Sequence, residues 1–341
     1  MVKLLGTPGR AGRWGRMTDT LDTPADASGT PTDAQMAEAA EVEVRSLTPH
    51  VEIRRVVVLV NPLSGSVGPK AAAEVEAILT DYPCEAEVVS LEGSRINAQI
   101  DAALASSPDV LFVLAGDGTA RAVASKAGHK GPLVAPLPGG TMNMLPKALY
   151  GTTDWKAALR SALEDGAPQT ISGGMVEGEA FYCAAILGSP ALWAPAREAM
   201  RTGKVSLAWA YGRRALRRAF SGRLRYALDD APRRKTEALV LISPMISRAL
   251  DEPVGLEAAA MDPTDTSQAF RLAATALFSD WRTDASVTTK PARKIEVWGR
   301  SKIPAVIDGE PTQLPHETSI SFIPKAFRAL APNPPQPDEG T

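Results

Sequence analysis

Apolar and polar positions along the chain fall into two regimes. From residue 53 to about 163, short apolar runs alternate with longer stretches of mixed character. The runs 53–60 (IRRVVVLV), 86–91 (AEVVSL), 110–115 (VLFVLA) and 133–137 (LVAPL) are mostly rich in β-branched or large aliphatic side chains. The first has the composition of a strand buried on both faces, and the third is as apolar; the other two read as strands. Between them, 69–80, 96–105 and 120–127 predict helices, and 155–163 predicts another. Pro69 opens the first helix, where its missing N–H costs nothing. Strands alternating with helices predict a parallel sheet covered on both faces.

Beyond residue 168 the pattern changes. Segments 169–175 and 180–186 read as a hairpin across Glu177, Gly178 and Glu179. Further strands are expected at 224–228, 238–242, 256–261, 294–298, 305–307 and 319–323. A run of strands after a βα region predicts a second, mainly β domain. The first 48 residues are rich in Thr, Pro, Ala, Gly and Asp, and too poor in apolar periodicity to offset their ordering entropy. A short helix at 34–44 and a start at Met17 both fit that stretch. The expected organisation is a tail over 1–50, an α/β nucleotide-binding domain over 51–168, a mainly β domain over 169–314, and a proline-rich acidic tail over 333–341.

Three of the predicted strands end in unusual turns: Asn61-Pro62-Leu63-Ser64-Gly65, Gly116-Asp117-Gly118-Thr119, and Pro138-Gly139-Gly140-Thr141-Met142-Asn143. Ligands of open parallel sheets bind outside the carboxyl ends of the strands, so the three turns share one edge. Gly116 and Gly118 bring no Cβ near a ligand, and the following helix N-terminus favours anions. One such turn is equally well a plain strand–turn–helix junction built on Asp-Gly. Three at successive strand ends predict a phosphate-binding edge.

Composition narrows the classes. With 341 residues, 44% hydrophobic and 22% charged, the chain can build two real cores. A net charge of -2 argues against a dedicated nucleic-acid binder. Cys84 and Cys183 form neither a disulfide framework nor a zinc spacing, and His50, His129 and His316 are scattered singly. No apolar run approaches the roughly 20 residues that cross a bilayer. The N-terminus lacks the apolar stretch of a signal peptide. The expectation is a soluble cytoplasmic protein.

The turn motifs, in their order, carry more than physics. Asn61-Pro62 with Ser64-Gly65, then Gly116-Asp117-Gly118-Thr119, then the Gly-Thr-x-Asn core of 140–143, then Asp308-Gly309-Glu310 followed by Leu314-Pro315 and 320–324, resemble the diacylglycerol kinase catalytic-domain family. That family includes bacterial lipid kinases and the sphingosine and ceramide kinases. The resemblance spans about 54–332. It implies an N-terminal three-layer α/β domain and a C-terminal β-sandwich, with ATP in the cleft between them and residues 315–332 returning to the first domain. It also implies an ATP-dependent kinase that phosphorylates a hydroxyl of a diacylglycerol-like lipid with Mg²⁺.

On that resemblance, Asn61, Ser64, Gly65, Gly116, Asp117, Gly118 and Thr119 hold the nucleotide phosphates. Ser90 and Thr141 contact the nucleotide, with Asn143 in the same turn. Asp308 and Glu310 carry the proton-accepting role, and Asp117 stays open for it. Asp117 is also the natural carboxylate to reach Mg²⁺. These residue types suit phosphoryl transfer, which needs positioning and charge neutralisation more than covalent chemistry.

Departures from the family pattern are Ala115 for a glycine, Arg121-Ala122 for the common Asn-Glu, Met144 for an Asp, and Val254-Gly255-Leu256-Glu257 in a usually metal-binding segment. They put a structural metal site in question. Two alternatives remain: a NAD kinase-like enzyme, which shares a Gly-Asp-Gly loop, and a non-catalytic lipid- or nucleotide-binding relative.

Residues 197–235 are strongly basic, opposed only by Glu198, Asp229 and Asp230, with Leu207, Trp209, Tyr211 and Leu216 interleaved. A basic, partly apolar helix can lie on an anionic membrane surface. Peripheral membrane contact through 197–225 is therefore expected, against a solvated helix face or arginines that contact ATP.

Overall fold

The computed structural model describes residues 52–188, 191, 224–247, 254–261 and 287–333. The expected tail at 1–50, residues 334–341 of the expected tail at 333–341, the helix at 34–44 and residues 197–223 of the basic segment lie outside the described residues.

Four parallel strands form first: β1 (Arg55–Val60), β2 (Glu85–Ser90), β3 (Val110–Ala115) and β4 (Leu133–Pro138). Their order is β2-β1-β3-β4. Helices α1 (Ala71–Leu79), α2 (Ile96–Ala105), α3 (Asp117–Ala127), α4 (Met144–Tyr150) and α5 (Trp155–Asp165) cover both faces. Strand alternation sorts the sheet's side chains into two cores. Val57, Leu59, Leu111 and Val113 pack with α2, α3 and α4. Val56, Val58, Phe112 and Leu114 pack with α1 and α5. β3 is buried along its whole length, as its continuous apolar run predicts.

The chain continues through β5 (Gly166–Val176), β6 (Glu179–Phe181), β7 (Ala184–Gly188), β8 (Leu224–Leu228), β9 (Arg234–Thr236), β10 (Ala238–Ile242), β11 (Leu256–Met261), β12 (Val287–Ala292), β13 (Lys294–Trp298), β14 (Ile303–Ile307), β15 (Glu310–Leu314) and β16 (Glu317–Pro332). The first sheet extends as β2-β1-β3-β4-β16-β13-β8-β9, with β5 on β16 and β6 on β5; a second, antiparallel sheet is ordered β12-β11-β10-β7-β14-β15. Leu224, Tyr226, Ile295, Val297 and Ile320 of the first sheet meet Leu187, Leu239, Leu241, Leu256 and Ile307 of the second in one sandwich core. The fold is thus the expected parallel α/β layer plus an antiparallel β region.

Several elements differ from the sequence reading, which places no strand at β9, β12 or β15. The 169–186 hairpin exists, with Val176 opposite Glu179, but its second arm breaks after Phe181 and re-forms as β7 in the other sheet. β16 is far longer than 319–323. It pairs with β13 near its start and runs parallel to β4 at Ala329. A register shift between Ile323 and Phe327 bends it where Pro324 cannot donate to the ladder. Finally, α4 was not predicted. It is only about two turns long, carries Pro146 in its first turn, and has no side-chain cap from Asn143 at its N-terminus.

Candidate active site at the carboxyl edge of the parallel sheet

The strand ends build the site. Asn61 N–H donates to the Leu114 carbonyl at 2.9 Å, so the first turn leaves β1 against the end of β3. The Asn61 side-chain oxygen accepts from Leu63 N–H at 3.1 Å, and its carbonyl accepts from Ser64 N–H at 3.0 Å. That tight turn pushes Leu63 outward, 86% exposed. Ser64 Oγ accepts the Gly116 N–H at 3.0 Å and ties the first turn to the second. A Cβ on Gly65 would lie 3.3 Å from Thr141 Oγ1, so the first turn also meets the third. Ser90 ends β2 one strand further out, exposed, with its carbonyl accepting from Gln99 Nε2 at 2.9 Å.

The second turn is shorter than its sequence implies. Gly116 is extended and α3 starts at Asp117, three residues before the predicted 120. Thr119 and Ala120 N–H donate to the Gly116 carbonyl at 3.0 and 3.1 Å, so Gly118 and Thr119 lie within the first turn of the helix. The Asp117 carboxylate turns toward the third loop. Its Oδ2 accepts the Asn143 N–H and its Oδ1 the Met144 N–H, both at 3.0 Å. A carboxylate at a helix N-terminus satisfies orphan donors and favours the dipole. Asp117 thus starts α4 from a different part of the chain.

Asn143 holds a left-handed conformation (φ 48°), and its own amide is engaged with Gly140. Gly140 N–H donates to Asn143 Oδ1 at 2.7 Å, and Asn143 Nδ2 donates to the Gly140 carbonyl at 3.1 Å. Gly140 has no room for a side chain. A Cβ there would sit 2.9 Å from Asp117 Oδ2 and 3.0 Å from Gly116 Cα.

The fourth motif comes from the antiparallel region. Asp308 and Gly309 are the two-residue turn between β14 and β15, with φ of 46° and 87°. Both angles are positive, as the Asn/Asp-Gly hairpin turns require. Gly309 lies against Met142 and Met144, so this hairpin packs on the third turn. Asp308 is buried, 8% exposed. Its Oδ2 accepts the Tyr182 N–H at 2.8 Å, and its Oδ1 accepts those of Cys183 and Ala184 at 2.9 and 3.0 Å. These are the residues where the chain leaves one sheet for the other, which explains the broken hairpin arm. Burial pushes the Asp308 carboxyl above the ordinary carboxylate range, while the three N–H donors and Arg121 oppose that rise. Burial, with the charges of Asp308 and Asp117 nearby, raises the Cys183 thiol well above its usual value.

Glu310 is different. Its side chain is 53% exposed, and its carboxylate stands over the first turn of α3; a Cβ on Gly118 would lie 2.9 Å from Oε1. Arg121, 20% exposed, donates from Nη2 to Glu310 Oε2 at 3.0 Å and lies 3.7 Å from Glu179. Sequence reasoning registered Arg121 only as a departure. Its position four residues after Asp117, one turn along the same helix, is the signal that places it beside this site.

The structure therefore gathers Asn61, Ser64, Gly65, Gly116, Asp117, Gly118, Thr119, Thr141, Asn143, Asp308 and Glu310 at one edge, with Ser90 beside them. Among the described residues, no cluster of three His, Cys, Asp or Glu side chains could hold a metal ion by itself. Glu257, in the segment that departs from the family pattern, is fully buried in β11 and accepts from Ser247 Oγ.

Residues 55–176 match the family profile of the diacylglycerol kinase catalytic domain, a lipid-kinase family, and bear out the resemblance carried by the turns at Asn61, Gly116 and Gly140, which lie within that span. A solved diacylglycerol kinase from Bacillus anthracis str. Sterne superposes with a TM-score of 0.63 at 17% identity, covering 83% of this chain and 99% of that one. A second, provisionally assigned diacylglycerol kinase from the same strain gives 0.60 at 17% identity, over 83% and 99%. At that identity the likeness shows the fold. No protein of curated function matches the chain by sequence. Among the described residues, no helix is long and apolar enough to cross a membrane.

Proposed function

We infer that this chain is an ATP-dependent kinase that transfers the γ-phosphoryl group to a hydroxyl of a diacylglycerol-like lipid. One observation carries the reading: the Glu310 carboxylate stands over Gly118, in the first turn of α3, next to Asp117 and the three linked turns. The turns offer backbone N–H groups and small residues where phosphates would lie, and Ser90 and Thr141 offer hydroxyls. Asn143 and Gly140 supply the loop's rigidity. Mg²⁺, when bound, neutralises phosphate charge, with Asp117 as the carboxylate that would hold it.

The three acidic candidates separate by what already occupies them. Asp308 commits both oxygens to three buried N–H groups. Asp117 commits one lone pair of each oxygen to the start of α4. Glu310 is half-exposed, holds a side-chain partner in Arg121, and can accept a proton. As the lipid hydroxyl attacks the γ-phosphorus, the O–H proton passes to Glu310 and the bond to the ADP oxygen breaks. Arg121 orients that carboxylate and adds a cation beside the transferring group.

The test is transfer of γ-labelled phosphate from ATP, with Mg²⁺, to a panel of diacylglycerol, sphingoid and ceramide lipids and to NAD. Label in a lipid hydroxyl is the expected result. Label in NAD alone would overturn the lipid assignment in favour of a NAD kinase. Nucleotide binding with no transfer to any acceptor would make the chain a binding protein, in which the Arg121–Glu310 pair locks the base.

A further inference from the structure

The solvent face of the first sheet's far end, away from the turns, holds a cluster of cations that the kinase site does not use. Arg225 of β8 lies directly opposite Lys235 of β9 on one side and Trp298 of β13 on the other. Residues paired in this way point to the same face, and Arg225 and Lys235 are both exposed. Arg233 lies along that face, with its guanidinium carbon 3.9 Å from the centre of the Trp298 ring. Arg225, Arg233 and Lys235 have no acidic partner among the described residues.

The acidic groups nearby are engaged or peripheral. Glu296 pairs with Lys294 at 2.8 Å, and Asp229 Oδ1 accepts the backbone N–H groups of Arg293 and Lys294. Asp230 sits beside Asp229 in the β8–β9 turn. Glu317, opposite Trp298 on β16, is the acidic end of the rung.

Like charges directly opposite on adjacent strands destabilise a sheet. Protection of an edge would explain Lys235, because β9 ends the sheet and edge lysines block pairing with other chains. It does not explain Arg225, on an interior strand, or Arg233 laid flat on an indole. Both are explained by an anionic partner that spans the face. The chain as a whole carries a net charge of -2, so the positive face is a local feature rather than a general basicity suited to nucleic acid. Arginine and tryptophan side by side also suit the headgroup level of a bilayer, where an indole has one wet and one apolar side. The preceding residues in sequence, Arg213, Arg214, Arg217, Arg218 and Arg223, continue the same charge toward β8.

We propose that the Arg225–Arg233–Lys235–Trp298 face docks the protein on an anionic lipid bilayer. The inference rests on the reading that the acceptor is a bilayer lipid, and it explains how an enzyme of that kind would reach its substrate.

The experiment is sedimentation of the full chain with vesicles of phosphatidylcholine alone and of phosphatidylcholine with phosphatidylglycerol, at low and high salt. Binding to the anionic vesicles only, released by salt, is expected. The pair Arg225→Gln/Lys235→Gln should weaken it about tenfold or more, and Arg233→Gln alone severalfold, since each juxtamembrane cation contributes roughly fivefold. Transfer to a dispersed short-chain diacylglycerol should stay at the wild-type rate. Equal binding to both vesicle types, unchanged binding by both variants, or tighter binding to duplex DNA at the same salt would overturn the proposal. Because binding is read without turnover, a failed kinase reading shows instead as vesicle binding with no labelled lipid.

Discussion

Replacing Asp308 tests whether the acidic turn of Asp308 and Glu310 holds a structural carboxylate or a second candidate base. The carboxylate is buried and accepts three backbone N–H groups between 2.8 and 3.0 Å, at the point where the chain passes between sheets. In Asp308→Ala those three donors lose their acceptor. Each stranded buried donor costs about 1–3 kcal/mol, so the loss is on the order of 3–9 kcal/mol. That is a large share of a total stability of roughly 5–15 kcal/mol. Asp308→Asn keeps one oxygen for Cys183 and Ala184 but turns an N–H toward that of Tyr182, so it should cost about 2–3 kcal/mol. Urea unfolding followed by tryptophan fluorescence measures both. Glu310→Gln is the control. It removes a half-exposed ion pair, which contributes about 0–1 kcal/mol, so its unfolding midpoint should stay near that of the wild type. If both Asp308 variants unfold within about 1 kcal/mol of the wild type, the structural account of Asp308 is wrong, and it returns as a candidate base.

Four further outcomes follow from the same structure. Glu310→Gln should lower kcat by about 10²–10⁴-fold, the usual contribution of a general base. If Arg121 acts through Glu310, Arg121→Gln should lower kcat in the wild type and add nothing in the Glu310→Gln background, while Arg121→Lys restores part of the rate; additive losses would show an independent role. Gly140→Ala places a Cβ 3.0 Å from Gly116 Cα and 2.9 Å from Asp117 Oδ2, so it should cost about 1–3 kcal/mol in the same unfolding assay, and no change would mean the turns are not in contact. Cys183 is fully buried, and its thiol is held protonated well above the usual range, whereas Cys84 is partly exposed. At pH 8 a disulfide reagent should therefore label only Cys84 rapidly, with Cys183 following on denaturation; immediate labelling of both thiols would contradict the buried position.

The family profile and the fold agree with what local pattern made legible. Apolar runs alternating with helical stretches call for a helix-covered parallel sheet, so the four parallel strands and their covering helices other than α4 follow from periodicity. Turn chemistry at Asn61, Gly116 and Gly140 then falls on one edge, because parallel strands all end on the same side. Asp308-Gly309 has the composition of a hairpin turn, yet the sequence reading places no strand directly after it; the β14–β15 hairpin is visible only in the paired structure. The chain's local chemistry thus determined the sheet, its edge and the set of acidic side chains available there. Tertiary structure decided what each of them is free to do. Asp308 meets its donors 124 to 126 residues away, and Asp117 caps the N-terminus of a helix 26 residues on, where Asn143 gives no side-chain cap. Arg121 finds Glu310 across 189 residues. A carboxylate's burial and hydrogen-bond partners come from chain segments distant in sequence, and no periodicity records them. For that reason three similar acids in the sequence become a staple, a helix cap and one accessible carboxylate only once the strands are paired.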